Sequence, residues 1–258
     1  MDATVSSEMT DAIVVLTIHN ERARNALSRS IILDLTQRLE HAMQDKACRA
    51  IVITGAGGTF CSGGDISGMT AERQLIDSRI WMKTAHRLIM QVINGEKPVI
   101  AAVEGFAFGA GLSLAAASDY MVVAENAKLC ASFARIGLIP DLGLYYSLAQ
   151  RVGVPRAKRM AALAEVVEGV QAKAIGLADS AVPAGATLDA AIEVAREYIN
   201  VAPIPLALTK AVFANGAVSL EQALTAELDY QPLLFGTSDH RDAAKAFMEK
   251  RKPVFQGR

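Results

Sequence analysis

Few side chains in this 258-residue sequence are placed to move a proton. In "ARIGLIPDLGLYYSL", Ala134 to Leu148, a single carboxylate, Asp141, stands in the middle of an apolar run. A carboxyl group surrounded by side chains such as Ile136, Leu138, Ile139 and Leu142 loses hydration. That disfavours its charged form and makes it a better base than an ordinary aspartate. Asp is also a preferred helix N-cap, and "LGLYYSLAQRVG" reads as the helix it would cap, so both roles are open here.

Two glycine-rich stretches could supply the complementary chemistry: "GAGGTFCSGGDISGM" (Gly55 to Met69) and "EGFAFGAGLSLAAAS" (Glu104 to Ser118). Each follows an apolar strand and leads toward a helix. Glycine permits close backbone approach, and a helix start offers unpaired N–H groups with a favourable dipole. Two such loops can converge a pair of donors on a developing oxyanion. Neither fits a dinucleotide, because Phe60 and Leu114 occupy the third glycine position of the fingerprint, and no GK[ST] phosphate loop exists. A serine nucleophile at Ser113 or Ser62 lacks its signature, since "GLSLA" has Ala115 where GxSxG requires glycine. His19, His41, His86 and His240 read as surface or satisfied histidines. Cys48, Cys61 and Cys130 form no CxxC and no metal spacing, and read as buried or idle thiols of a reducing compartment.

The elements that must hold these residues follow from hydrophobic periodicity. "AIVVLTIH" (Ala12 to His19) and "RAIVITG" (Arg49 to Gly55) read as buried strands. Between them Leu27, Ile31, Leu35, Leu39 and Met43 recur every fourth residue, one face of a helix that Ser28 is placed to cap. "PVIAAVEGFAFG" gives a third strand and a turn, and "YMVVAE" and "KLCASF" two more. The alternation predicts an α/β core with parallel pairing. From Leu142 onward the pattern is almost wholly helical, except for an extended piece near "GLADSAVP", where Gly176 suits a left-handed helix stop.

With 52% hydrophobic and 21% charged residues and a net charge of -1, the composition is that of a globular protein with a sizeable core. It carries no basic stripe for nucleic acid. The polar, acidic start is neither a secretory nor a mitochondrial leader, and the longest apolar runs are broken too early to span a membrane. A cytoplasmic location is the expectation.

Taken together, "RNALS", "GTFCSGGDISGM", "EGFAFGAGLSLAAASDY", "IGLIPDLG" and "AKAIGLADSAVP" resemble, in order and spacing, the enoyl-CoA hydratase/isomerase (crotonase) family, over nearly the whole chain. The resemblance implies a ββα spiral core, taken as residues 1–195, and a C-terminal helical region, 196–258, that forms homotrimers or hexamers. It implies an acyl-CoA thioester as substrate, coenzyme A entering as part of that substrate with no tightly bound cofactor and no metal. By motif position the oxyanion donors are the N–H groups of Gly64 and Ala110, the latter standing where glycine is usual. Arg24, Ala26, Leu27, Ser62, Gly64, Asp65 and Ile66 match the CoA-binding positions. Arg22 and Arg24 offer charge to a phosphate, and Lys250 and Phe255 resemble residues that complete the site in some relatives.

The departures from the family pattern are informative. The two glutamates with which hydratases of the family handle water are replaced by Ser113 and Phe133. Neither can take a proton from water at neutral pH. Asp141 matches the acid/base position of isomerase-type relatives. The resemblance therefore implies a Δ3,Δ2-enoyl-CoA isomerase, with a hydratase, another enolate reaction or a non-catalytic acyl-CoA binder as alternatives. Phe60, Phe106, Phe108, Phe133 and Tyr145 could line an aromatic pocket or fill the core.

Overall fold

The computed structural model describes residues 3–67, 74–216 and 219–258; Gly68 and Met69, which end the first glycine-rich motif, lie outside them. Two hairpin strands, β1 (Thr4–Thr10) and β2 (Ile13–His19), lead through a 3-10 turn at Glu21–Ala23 to α1 (Arg29–Gln44) and β3 (Ala50–Gly55). Then come α2 (Leu75–Asn94), β4 (Val99–Val103), β5 (Phe106–Phe108), α3 (Ala110–Ala117), β6 (Tyr120–Ala124) and β7 (Lys128–Cys130). A second 3-10 turn, Ser132–Ile136, precedes α4 (Leu144–Val152), α5 (Val154–Leu163), β8 (Val166–Glu168), α6 (Gly169–Ala174) and β9 (Ser180–Val182). The chain closes with α7 (Thr187–Ile199), α8 (Pro203–Phe213), α9 (Leu220–Phe235) and α10 (Ser238–Met248).

The main sheet has the order β1-β2-β3-β4-β6-β9, parallel except for the β1–β2 hairpin. Side-chain alternation along its strands builds two cores. Leu16, Ile18, Ile51, Ile53, Val99, Ala101 and Val103 face one way, into the large core shared with Ile31, Leu35 and Leu39 of α1 and Leu88 of α2. Ile13, Ala50, Val52, Ile100, Ala102 and Val122 face the other way, under Ala191 and Ala195 of α7. A small sheet, β5-β7-β8, stands apart. Strands buried on both faces explain why "AIVVLTIH" and "PVIAAV" read as continuous apolar runs.

Ser28 caps α1 as its position predicts, its hydroxyl accepting from the Ile31 N–H. Leu27 precedes that helix and pairs instead with Gly64. Gly176 is left-handed, at φ +77°, just past α6. The polar stretch Thr4–Thr10, given no element by its periodicity, is an edge strand held by backbone pairing with only Val5 buried. The boundary at residue 195 falls inside α7, which belongs to the sheet; the helical region proper begins at α8. Among the described residues no helix is long and apolar enough to cross a membrane.

Candidate functional site

The two glycine-rich loops meet at the ends of β3 and β4. Cys61 forms a parallel bridge with Ala107, its N–H donating to the Phe106 carbonyl (2.8 Å) while its own carbonyl accepts from Phe108 N–H (3.0 Å). The approach is close enough to require glycine: a Cβ on Gly111 would lie 2.5 Å from the Cys61 carbonyl oxygen. Gly109 adopts φ +49°, which turns the chain from β5 directly into α3. Ala110 is then the first residue of α3, with ordinary dihedrals, so the methyl group costs nothing and its N–H lies in the unpaired first turn.

Gly64 presents its N–H for a different reason. In the parallel bridge between Leu27 and Gly64, Leu27 N–H donates to the Gly63 carbonyl (2.8 Å) and the Leu27 carbonyl accepts from Asp65 N–H (3.3 Å). The N–H of Gly64 therefore points away from Leu27, and among the described residues no backbone acceptor takes it. The Arg24–Leu27 segment is pinned to this loop by Asn25, a residue the motif reading gave no role. Its fully buried amide donates to the carbonyls of Ala56 (2.8 Å) and Thr59 (2.5 Å) and accepts from Asn20 N–H (2.9 Å).

Asp141 shares with Gly64 and Ala110 a cleft of about 500 Å³, lined also by Leu27, Asp65, Leu142 and, from α2, Trp81, Met82 and Ala85. It does not cap α4: that role falls to Gly143, and no side chain bonds the helix start. The turn explains the failure. Leu142 and Gly143 are both left-handed, at φ +48° and +73°, so Asp141 sits two residues too early to cap the helix. A left-handed leucine is strained by about 1–2 kcal/mol, and the burial of its side chain holds it. Ser113, fully buried, has one hydroxyl proton, shared between the carbonyls of Asp141 (3.0 Å) and Gly109 (3.3 Å).

The carboxyl so placed is unsatisfied. Its Oδ1 is buried and has no hydrogen-bond partner among the described residues. Desolvation pushes its pKa up to about 6, opposed only by its own backbone N–H. The expected source of that desolvation needs correcting, because Ile136, Leu138 and Ile139 are exposed and only Leu142 packs on the cleft. The apolar lining comes also from α2, a helix of 20 residues to which the sequence reading assigned no element.

Leu27, Gly64, Asp65, Ala110 and Asp141 are thus brought together. Arg24, Ala26, Ser62 and Ile66 lie on the segments that frame the cleft, not on its walls. The Arg24 carbonyl accepts from Ser62 N–H (3.0 Å), the Ser62 hydroxyl donates to the Ala23 carbonyl (2.9 Å), and Ile66 is exposed. The Ala26 carbonyl accepts from the Asn20 amide and from Ser28 N–H, both at 3.0 Å. Asp65 accepts from Ser67, which holds its carboxyl below the usual range. Lys250 and Phe255 do not line their own chain's cleft. None of Phe60, Phe106, Phe108, Phe133 and Tyr145 does either: Phe60 and Phe133 are core, Phe106 packs edge-on to Phe108, and Tyr145 is exposed. The three thiols are buried, which raises the pKa of each, that of Cys61 to about 12.

A cleft that gathers Gly64, Ala110 and one desolvated carboxyl has the parts that enolate chemistry needs, and comparison with known proteins shows the family. The sequence model of the family described as Enoyl-CoA hydratase/isomerase matches residues 8–258. A Rhodobacter capsulatus protein named "Probable enoyl-CoA hydratase" is 34% identical over 99% of this chain and 98% of its own. The 1,2-epoxyphenylacetyl-CoA isomerase of Escherichia coli is 30% identical over 98% of both chains. The crystal structure of an enoyl-CoA hydratase from Polaromonas sp. JS666 superposes with a TM-score of 0.92 at 32% identity, covering 98% of this chain and 99% of that one. Hydratase names predominate among the matched relatives. The mixed α/β architecture is the crotonase fold, and this chain belongs to the enoyl-CoA hydratase/isomerase family of acyl-CoA enzymes.

Proposed function

We propose that the protein is an enoyl-CoA isomerase of the Δ3,Δ2 type, with Asp141 as its only proton carrier. The observation that carries this reading is the buried, unpartnered carboxyl oxygen of Asp141 in the cleft shared with Gly64 and Ala110. The base removes the C2 proton of a 3-enoyl thioester. The negative charge that develops on the thioester oxygen rests on the two N–H groups, each worth roughly 2.7–4 kcal/mol in such a role. The same acid returns the proton to C4, so the double bond moves from C3–C4 to C2–C3 with no water and no redox change. With a pKa of about 6 the group is ionised about ten to one at pH 7, yet is a far better base than a solvated aspartate. Arg24, Ala26, Ser62 and Ile66 would frame the CoA moiety at the mouth.

The names of many relatives favour hydration instead. Against it stand the residues at the two hydratase positions. Ser113 has its hydroxyl committed to two carbonyls, and Phe133 is packed in the core. Incubation with 3-hexenoyl-CoA and, separately, 2-hexenoyl-CoA separates the readings. The isomerase yields 2-enoyl product from the first and no water adduct from the second. Rapid 3-hydroxyacyl-CoA formation from the second overturns the proposal in favour of a hydratase. The subunits would assemble as trimers or hexamers through α8–α10, where Phe213, Leu224, Leu228, Phe235 and Phe247 are exposed. Sedimentation analysis checks this, and a monomer refutes it.

A further inference from the structure

The cleft has a second polar end that the proton shuttle does not use. From the start of α1, Arg29 reaches over Trp81 of α2, its guanidinium carbon 4.7 Å from the ring centroid. Both side chains line the cleft that contains Asp141 and also the adjoining surface depression with Asp77. Trp81 holds the guanidinium by stacking and by the attraction of its ring face. Among the described residues no carboxylate, Asp77 included, lies within ion-pairing distance of Arg29. Arg29 and Trp81 thus share one cleft with Asp141, whose lining Met82, Ala85 and Leu142 make partly apolar.

This arrangement is poorly matched to a plain aliphatic acyl group. A methyl terminus pressed against Arg29 would strip water from a charge and return nothing. An aromatic terminus would find the Trp81 face already occupied. An anionic terminus pairs with the planar guanidinium through two parallel charge-assisted hydrogen bonds. Accepting that the cleft takes acyl-CoA, we infer that Arg29 and Trp81 form a subsite for the far end of the acyl group and select thioesters whose chain ends in a carboxylate. Specificity then resides at the junction of α1 and α2, and reactivity at Asp141.

The test uses two saturated, unreactive thioesters of equal length, hexanoyl-CoA and adipoyl-CoA, with free CoA as reference. Their dissociation constants are measured by calorimetry at pH 7.5 for the native protein, Arg29→Met and Trp81→Phe. A charge-assisted pair predicts adipoyl-CoA tighter than hexanoyl-CoA by about tenfold, a ratio that falls toward one in Arg29→Met and drops partway in Trp81→Phe. Equal affinities in the native protein overturn the inference. So does a ratio that survives Arg29→Met, including the case where all three ligands weaken together, which would place Arg29 on the CoA moiety. Because no turnover is needed, these outcomes are independent of whether the enzyme isomerises or hydrates. Failure of all three ligands to bind the native protein would instead reject the acyl-CoA site on which the subsite rests.

Discussion

Two half-buried aspartates in this fold, Asp119 and Asp141, have their pKa raised by desolvation. Asp119 sits just before β6 and is engaged through Oδ2. It accepts from the Val99 N–H (2.7 Å) and from the Lys210 ammonium of α8. Lys210 in turn donates to the carbonyls of Val92 (3.2 Å) and Lys97 (3.0 Å). That pair fastens the helical region to the end of α2 and the start of β4, and burial pushes the lysine pKa down as it pushes the aspartate up. Asp141 is desolvated as well, but its Oδ1 has no hydrogen-bond partner among the described residues. A buried carboxyl with its lone pairs met stabilises a fold; one with a lone pair unmet keeps that capacity for something that arrives later.

Substitutions at the two sites should therefore fail in opposite ways. Asp141→Asn keeps the shape and removes the base, and the isomerisation rate should fall by about 10²–10⁴-fold with binding of a saturated thioester retained. A loss under threefold would show that another group moves the proton. Lys210→Met should do the reverse. It strands the Asp119 carboxyl without its partner, at a cost of about 3–5 kcal/mol read by urea unfolding, while activity per folded molecule is kept. A change below 1 kcal/mol would mean that the pair is not what anchors α8.

The contrast extends to pH. A carboxyl whose pKa rises from 3.8 unfolded to about 6 folded favours the folded state while protonated. Its stabilising contribution is complete below pH 4 and is lost as the pH climbs through 6, so ionised Asp141 strains the fold at neutral pH. The two-unit difference is worth up to about 3 kcal/mol. Asp141→Asn should thus be more stable than the native protein by about 1–3 kcal/mol at pH 8 and by little at pH 4.5. Native kcat/KM should rise through pH 6 and then level. An inactive variant with no gain in stability at pH 8 would place the carboxyl in water.

How much of this was legible in the chain depended on range. Ser28 could be assigned as a cap because its partner, Ile31, is three residues away. The glycine loops could be assigned because Gly109 and Gly111 mark a backbone turn and a close approach that only glycine allows. Asp141 could be assigned to chemistry by its match to the family, with capping left open beside it; that it does not cap follows from a left-handed leucine next to it, a conformation no propensity predicts. Asp119 and Lys210 are 91 residues apart, and nothing local joins them. Ile136, Leu138 and Ile139 were misplaced because an apolar run does not say whether it faces its own core or the surface. Trp81, Arg29 and Asn25 act through contacts between elements, which periodicity within an element does not record.

The smallest expected effect falls on the residue that links the two halves of the site. Ser113, which by motif position matches a hydratase glutamate of the family, donates its hydroxyl to the Asp141 carbonyl beside the left-handed Leu142. Ser113→Ala removes a hydrogen bond of about 1 kcal/mol without opening the core, because the lost atom is small. The turn then gains freedom at the residue whose aim matters, and misplacement of a base is felt in the transition state more than in the bound ground state. The kcat for isomerisation should fall about three- to tenfold with KM within twofold. The pH at which activity rises should stay near 6, since the desolvating wall of Trp81, Met82 and Ala85 is untouched. A fall in stability with kcat unchanged would reduce Ser113 to packing. A shift of the activity rise toward pH 4 would show that the hydroxyl, by holding Asp141 inward, is what keeps water from it.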